Sequence, residues 1–340
     1  MSDPPRTPPA PDPPEADPHV AVTAESDRSW VHAGLGEAKA LEALAALSGS
    51  ELSSFLLELA DRRSKSRTPA DTLRQFERDR FTSVAAVDAR KLLRTELRLL
   101  DAAAAFEAVE LSPLAPFGAC VAVAPGSQNR IVTTIRGTEV ASDATNILAL
   151  ECARRLRRDP LATIRLATCQ RVVRAQPIPR LPGYAQHFKL FALATAGLET
   201  KDHGFVVGAL LEHIRALLAG LQALVSDGYA LPPPRVKVLS TPARAALADQ
   251  IADALRLEAS VERGALEHPY YHGLRFMLDC VAADGSVINL ADGGAFDWVG
   301  KLTSNRRHTF VASGLGTQRV AEFAPEIAVD ARGGSSCPSY

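Results

Sequence analysis

The chain reads as an α+β domain, an antiparallel β-sheet flanked by helices, and three observations predict it. Two strand-like segments, "TIRLATCQRVVRAQ" and "QHFKLFALATAG", are joined by a Pro- and Gly-rich loop, "PIPRLPGY". A second series, "YYHGLRFMLDCV", "SVINLADGG" and "HTFVASG", follows as a meander. Helical periodicity falls outside these hairpins, which argues against a doubly wound parallel sheet.

Bulk composition narrows the class. With 340 residues, 46% of them hydrophobic and 23% charged, the chain can bury one large core or two smaller ones. A formal net charge of -1 gives no sign of a dedicated nucleic-acid binder. The five cysteines (Cys120, Cys152, Cys169, Cys280 and Cys337) form no C-x-x-C pair and leave an odd count. That suits a reducing cytoplasm better than a disulfide framework or a zinc site. No apolar run reaches the roughly 18 residues a membrane helix needs, and the N-terminus lacks a secretory signal pattern. The expectation is a cytoplasmic protein with no membrane partner.

Residues 1–28, opening "MSDPPRTPPAPDPPEADP", are too rich in proline and too poor in large apolar groups to pack, and read as a disordered tail. Residues 29–80 read as a helical segment. There "LSGSELSSFLLELADRR" sets a serine cap before Leu52, Phe55, Leu56 and Leu59 on one face, and "TPADTLRQFERDR" starts another helix with Pro69 early. Residues 81–325 read as the main domain and 326–340 as a flexible tail.

Within the main domain, the helix from Asp88 to Ala104 carries Leu93, Leu97, Leu100 and Ala104 at helical spacing. "FEAVELSP" alternates as a strand and stops at Pro113, while "CVAVA" and "RIVTTI" read as two short strands. A helix opening near Thr145 bears Arg154, Arg155, Arg157 and Arg158, a cluster that could touch nucleic acid or form a solvated face. From Phe205 to Val225 a broad apolar stripe is interrupted by His213, Arg215 and Gln222, which marks a core helix rather than a membrane span. "RVKVLS" and "TPARAALADQIADAL" give a strand, a cap and a helix. Near the end, "ASGLGTQRVAEF" gives a strand, a glycine turn and a short helix bearing Arg319.

Three features thus occur in a fixed order. A helix leads to a strand ending at Pro113; two strands carry Arg174 before their loop and Phe188 after it; Gly314 and Gly316 lead to Arg319. This order resembles motifs 1, 2 and 3 of the class II aminoacyl-tRNA synthetase catalytic core. "HPYYHGLRF" followed by "GGAFDWV" resembles the Tyr-Tyr and Gly-Gly-Arg-Tyr-Asp segments of histidyl-tRNA synthetases, and "SDATNILALECARR" resembles their substrate-amine segment. The group resembled is therefore the histidyl synthetases and their paralogue, the regulatory subunit of ATP phosphoribosyltransferase.

The departures are specific. Gln176 stands where the family has the acid of Arg-x-Glu, and Leu190 and Ala194 align with a glutamine and a glutamate that hold histidine. Ala295 takes the place of the Gly-Gly-Arg arginine, and Arg263 is what remains of the arginine before the Tyr-Tyr segment. The chain ends soon after Phe323, with no room for an anticodon-binding domain, so tRNA is not an expected partner.

The resemblance implies ATP and Mg²⁺ as cofactors. It places Arg174 at the α-phosphate as the catalytic group, Arg319 at the γ-phosphate and beside adenine, and Phe188 on the other face of the base, with Gln176 near them. A planar guanidinium suits such work because it pairs bidentately with phosphate oxygens. Asp143, Thr145, Tyr270, Tyr271 and Arg263 would line the substrate side. Plainer readings stand beside these. Arg174 alone could form a strand-face ion pair, Arg319 could be a solvated charge, and Asp143 and Thr145 could cap a helix. Strand alternation sends one of Tyr270 and Tyr271 into the core. His268 and His272 lack a third metal ligand.

Two functions follow: an ATP-dependent, adenylate-forming ligase-like protein activating an amino acid or related carboxylate, or a non-catalytic regulatory subunit with a protein partner. Motif 1 further implies a homodimer through the helix from Leu93 to Ala104 and the strand ending at Pro113.

Overall fold

The computed structural model describes residues 38–177, 185–281 and 285–323. The tails expected over 1–28 and 326–340, and most of the "PIPRLPGY" loop, lie outside the described residues. The chain divides into two compact units, residues 1–58 and 59–340.

In the first unit, α1 (Ala38–Ala45) is followed by the start of α2 (Gly49–Lys65). Ser48 and Glu51 close the expected cap reciprocally: the Ser48 N–H donates to Glu51 Oε2 at 2.9 Å and the Glu51 N–H to Ser48 Oγ at 3.3 Å. In the second unit, α3 (Pro69–Arg78) is capped in the same way by Thr68 and Asp71, with Pro69 in its first turn.

The rest of the second unit holds the sheet and its helices. In order these are α4 (Ala89–Ala102), β1 (Glu107–Ala108), β2 (Leu114–Pro116), α5 (Ala119–Ala122), β3 (Thr138–Val140) and α6 (Ala144–Leu156). Then come β4 (Ile164–Val173), β5 (His187–Leu198), α7 (Gly204–Ser226), β6 (Arg235–Ser240), α8 (Ala245–Leu255) and β7 (Val261–Ala265). The chain continues through β8 (Leu274–Val281), β9 (Val287–Phe296), α9 (Trp298–Leu302), β10 (His308–Gly316) and α10 (Thr317–Phe323). Among the described residues eight strands form one sheet in the order β1-β4-β5-β10-β9-β8-β6-β7. From β4 across to β6 every pairing is antiparallel, as expected; only the edge pairings β1–β4 and β6–β7 are parallel.

Alternation along the strands gives the sheet two distinct faces. Phe191 and Leu193 of β5, Val311 and Leu315 of β10, and Phe276 and Leu278 of β8 pack with α4, α7 and α8. Ile164 and Leu166 of β4, Ala192, Ala194 and Ala196 of β5, and Phe310 and Ala312 of β10 pack with α6 and α9 on the other side. By length and composition Lys201–Ser226 could cross a membrane. Val206, Leu210, Ile214, Leu217 and Leu221 of α7 are instead buried in the first core.

The structure corrects four local expectations. "CVAVA" is not a strand, because its first residues form α5. Gly118, at φ +82°, enters that turn in the left-handed region. The buried carboxylate of Glu139 then accepts from the Gly118 N–H at 2.9 Å and the Cys120 N–H at 3.0 Å. "RIVTTI" contributes one isolated bridge, Thr133 to Glu139, and β1 is two residues long. On α4 the buried stripe is Leu92, Thr95, Glu96 and Leu99, while Leu93 and Leu97 remain 62% and 59% exposed.

Candidate active site

The unbroken register of β4 and β5, from Ile164 opposite Ala196 to Val173 opposite His187, brings the two ends of the long loop together. The Val173 N–H donates to the Ala141 carbonyl at 2.9 Å, so the entry to α6 runs beside the end of β4. Arg174 follows at once. Its Nε donates to the Ser142 carbonyl at 3.2 Å, its Nη2 lies 3.3 Å from Asp143 Oδ2, and its guanidinium sits over the Phe188 ring at 5.1 Å.

Asp143 is the N-cap of α6. Its Oδ1 accepts from the Thr145 N–H at 2.9 Å and from the Thr145 hydroxyl at 2.8 Å. Both residues therefore make the cap the sequence allowed, and the second oxygen of Asp143 serves as counter-ion to Arg174. Gln176 follows two residues later, half-buried at the start of the loop.

Phe188, Leu190, Ala192 and Ala194 alternate onto the α6 face of β5. Leu190 and Ala194 thus present hydrocarbon on that face. Across β10, Gly314 pairs with Ala192, and Gly316 with Leu190. A Cβ built on Gly314 would meet nothing nearer than the Phe191 carbonyl oxygen at 4.0 Å, so the sheet has a bare floor there. Arg319, exposed in the first turn of α10, stands just beyond that floor. Among the described residues its side chain has no hydrogen-bond or ion-pair partner. The junction is held from below, where buried Glu96 of α4 accepts from Lys189 Nζ at 2.7 Å and from the Thr317 hydroxyl at 3.2 Å.

The Tyr-Tyr segment forms the far wall. Tyr270 is edge-on to Tyr271, Phe296 and Trp298, with centroids 5.1, 5.5 and 5.7 Å away. Burial raises both phenol pKa values far above the usual range, and Asp143 and Asp292 raise Tyr270 further. The Tyr271 hydroxyl donates to Asp292 Oδ2 at 2.7 Å, and Arg275 Nη2 donates to the same oxygen at 3.0 Å. The Arg275 guanidinium lies 5.1 Å from the Tyr271 ring centre. Gly294 has no space for a side chain, since a Cβ there would collide with the Tyr271 ring and the Leu274 carbonyl.

Arg263 is not brought to this group. It stands on edge strand β7 and pairs with Asp249 of α8, the helix on the opposite face. Ala295 also turns away, into the core beneath. Sequence reasoning missed Asp292 and Arg275, although charges inside the apolar runs "INLADGG" and "GLRFML" were a usable signal. The arginines of α6 are engaged within the chain, Arg154 and Arg155 with Glu151 and Arg155 also with Glu107, and Arg157, just past the helix, donates to the Leu302 carbonyl. Burial holds Cys152 and Cys169 up at about 12, and Cys120 and Cys280 at about 11, so these thiols stay protonated. Among the described residues no group of three or more His, Cys, Asp or Glu is placed to hold a metal.

No protein-family model matches the chain, and neither does any curated protein sequence. Solved structures do. An apo histidyl-tRNA synthetase of S. aureus is 14% identical, with a TM-score of 0.52 over 70% of this chain and 67% of that one. An ATP phosphoribosyltransferase regulatory subunit/histidyl-tRNA synthetase of Bacillus halodurans is 14% identical at TM-score 0.51, over 68% of this chain and 79% of that one. A histidine–tRNA ligase subunit of Alicyclobacillus acidocaldarius is 15% identical at TM-score 0.51, over 71% and 94%. The chain therefore has the fold of the class II aminoacyl-tRNA synthetase catalytic core, shared with histidyl synthetases and with the ATP phosphoribosyltransferase regulatory subunit.

Proposed function

We propose that this protein is an ATP-dependent, adenylate-forming ligase-like protein that activates an amino acid or a related small carboxylate. The observation that carries the reading is the placement of Arg174 and Phe188 at one edge of the bare Gly314 floor, with Arg319 just beyond it. A flat floor, an aromatic ring and two arginines suit a base and a polyphosphate. ATP would supply the phosphorus at which the carboxylate is activated. Arg174 would hold the α-phosphate and stabilise charge there; Arg319 would hold the γ-phosphate; Phe188 would take the base; Gln176 would line the loop side. Mg²⁺ would be held largely by the phosphates. Such a site works by positioning and positive charge.

A second reading is a non-catalytic regulatory or binding subunit with a protein partner. The polar-to-apolar changes at Leu190 and Ala194 favour it, as does the neutralisation of Arg174 by Asp143. Amino-acid-dependent pyrophosphate exchange, run across the standard amino acids beside an ATP titration, separates the two. Exchange supports the ligase, and absence of exchange, with or without ATP binding, supports the regulatory subunit. In either case the protein is proposed to be a homodimer through the exposed Leu93–Leu97 face of α4 and the strand region ending at Pro113.

A further inference from the structure

The residues expected to receive a substrate amine, Asp143 and Thr145, are already committed. Asp143 Oδ1 takes two donors from Thr145, Oδ2 faces Arg174, and the Thr145 hydroxyl spends its proton on Asp143. Asp292 differs. It lies on β9 directly opposite Gly314, beside the bare floor, with its side chain 30% exposed. Tyr271 and Arg275 both donate to Oδ2, which fixes the carboxylate plane. Oδ1 accepts no hydrogen bond from the described residues. A carboxylate held from one side, with an acceptor oxygen left over at the edge of an open floor, is suited to a cationic donor.

We infer that Asp292 receives the primary ammonium of the substrate, which makes that substrate an amino acid rather than a plain carboxylic acid. Tyr271 and Arg275 are positioning residues that aim Oδ1. Asp143 serves the helix cap and Arg174. This inference rests on the proposed ligand-binding site and sharpens its substrate class.

The test is calorimetry on the full chain with ATP, with the standard amino acids, and with the des-amino acid matching the tightest binder. Wild type should bind the amino acid at least about tenfold tighter than its des-amino partner. Asp292→Asn should bring that ratio close to one, whereas Asp143→Asn should shift both ligands alike and keep the ratio. If Asp292→Asn does not fold, Tyr271→Phe should still lower the ratio several-fold. A wild type without the preference overturns the inference whatever the variants do. So does an Asp292→Asn or a Tyr271→Phe that keeps the full ratio, or an Asp143→Asn that erases it. Binding of ATP but of no amino acid overturns this inference and leaves the nucleotide site standing; binding of neither removes both.

Discussion

The guanidinium of Arg174 lies over the ring of Phe188, 5.1 Å from its centre, at the mouth of the long hairpin. A base stacking on that ring must displace the guanidinium or share the ring with it. The same motion would release Arg174 from Asp143, 3.3 Å away, and free it for an anion.

Nucleotide affinity should therefore separate the two arginines. Arg319→Ala should weaken ATP by about ten- to a hundredfold, the effect of losing one charge-assisted contact, and should weaken AMP much less. Arg174→Ala should weaken both nucleotides. Titration of each variant with ATP and AMP, beside a melting curve, reads this directly. Equal losses for both nucleotides in Arg319→Ala would remove it from the γ-phosphate.

Asp143→Ala should have opposite effects on stability and binding. Loss of the α6 cap should cost about 1 kcal/mol of stability. ATP should bind several-fold tighter, because the phosphate no longer competes with a carboxylate for Arg174. Denaturant unfolding and calorimetry on one preparation check both halves.

His213 gives a pH prediction. It is fully buried on α7, with Nε2 3.0 Å from the Thr195 hydroxyl and Nδ1 2.9 Å from the Ser313 hydroxyl, so it ties β5 to β10 under the proposed site. Burial, assisted by the charge of Arg165, lowers its pKa from 6.5 to about 3. Between those values the unfolded chain binds a proton that the native protein does not. This contribution is complete above 6.5 and is lost as pH falls toward 3, with a slope approaching about 1.4 kcal/mol per pH unit. Unfolding free energies at pH 7.5 and pH 5 should show a smaller drop in His213→Gln than in wild type; equal drops would show that another group governs the window.

The exposed face of α4 predicts the oligomeric state. Leu97→Glu should turn the proposed homodimer into a monomer in sedimentation at micromolar concentration without lowering the melting temperature of the monomer, since Leu97 is 59% exposed. A wild type that sediments as a monomer would remove the dimer.

The sequence by itself determined the elements whose causes are local. The β4–β5 pair is legible because its loop joins strands that must run antiparallel, and that alone puts Arg174 beside Phe188. Likewise the α2, α3 and α6 starts are legible in Ser48, Thr68 and Asp143, whose oxygens meet backbone N–H groups within three residues. Tertiary structure decided what depends on distant partners. "CVAVA" carries a strand-like run of apolar residues, yet Glu139, nineteen positions beyond Cys120, satisfies the N–H groups that a turn of helix leaves open. The helix of Leu93 and Leu97 has a second apolar stripe, and only packing reveals that Leu92 and Leu99 are the ones buried. Arg263 and Arg275 look alike in sequence. Strand order sends the first to the sheet edge beside α8 and the second across the strand from Gly294, next to Asp292, because the choice of face and neighbour belongs to the sheet and not to the strand.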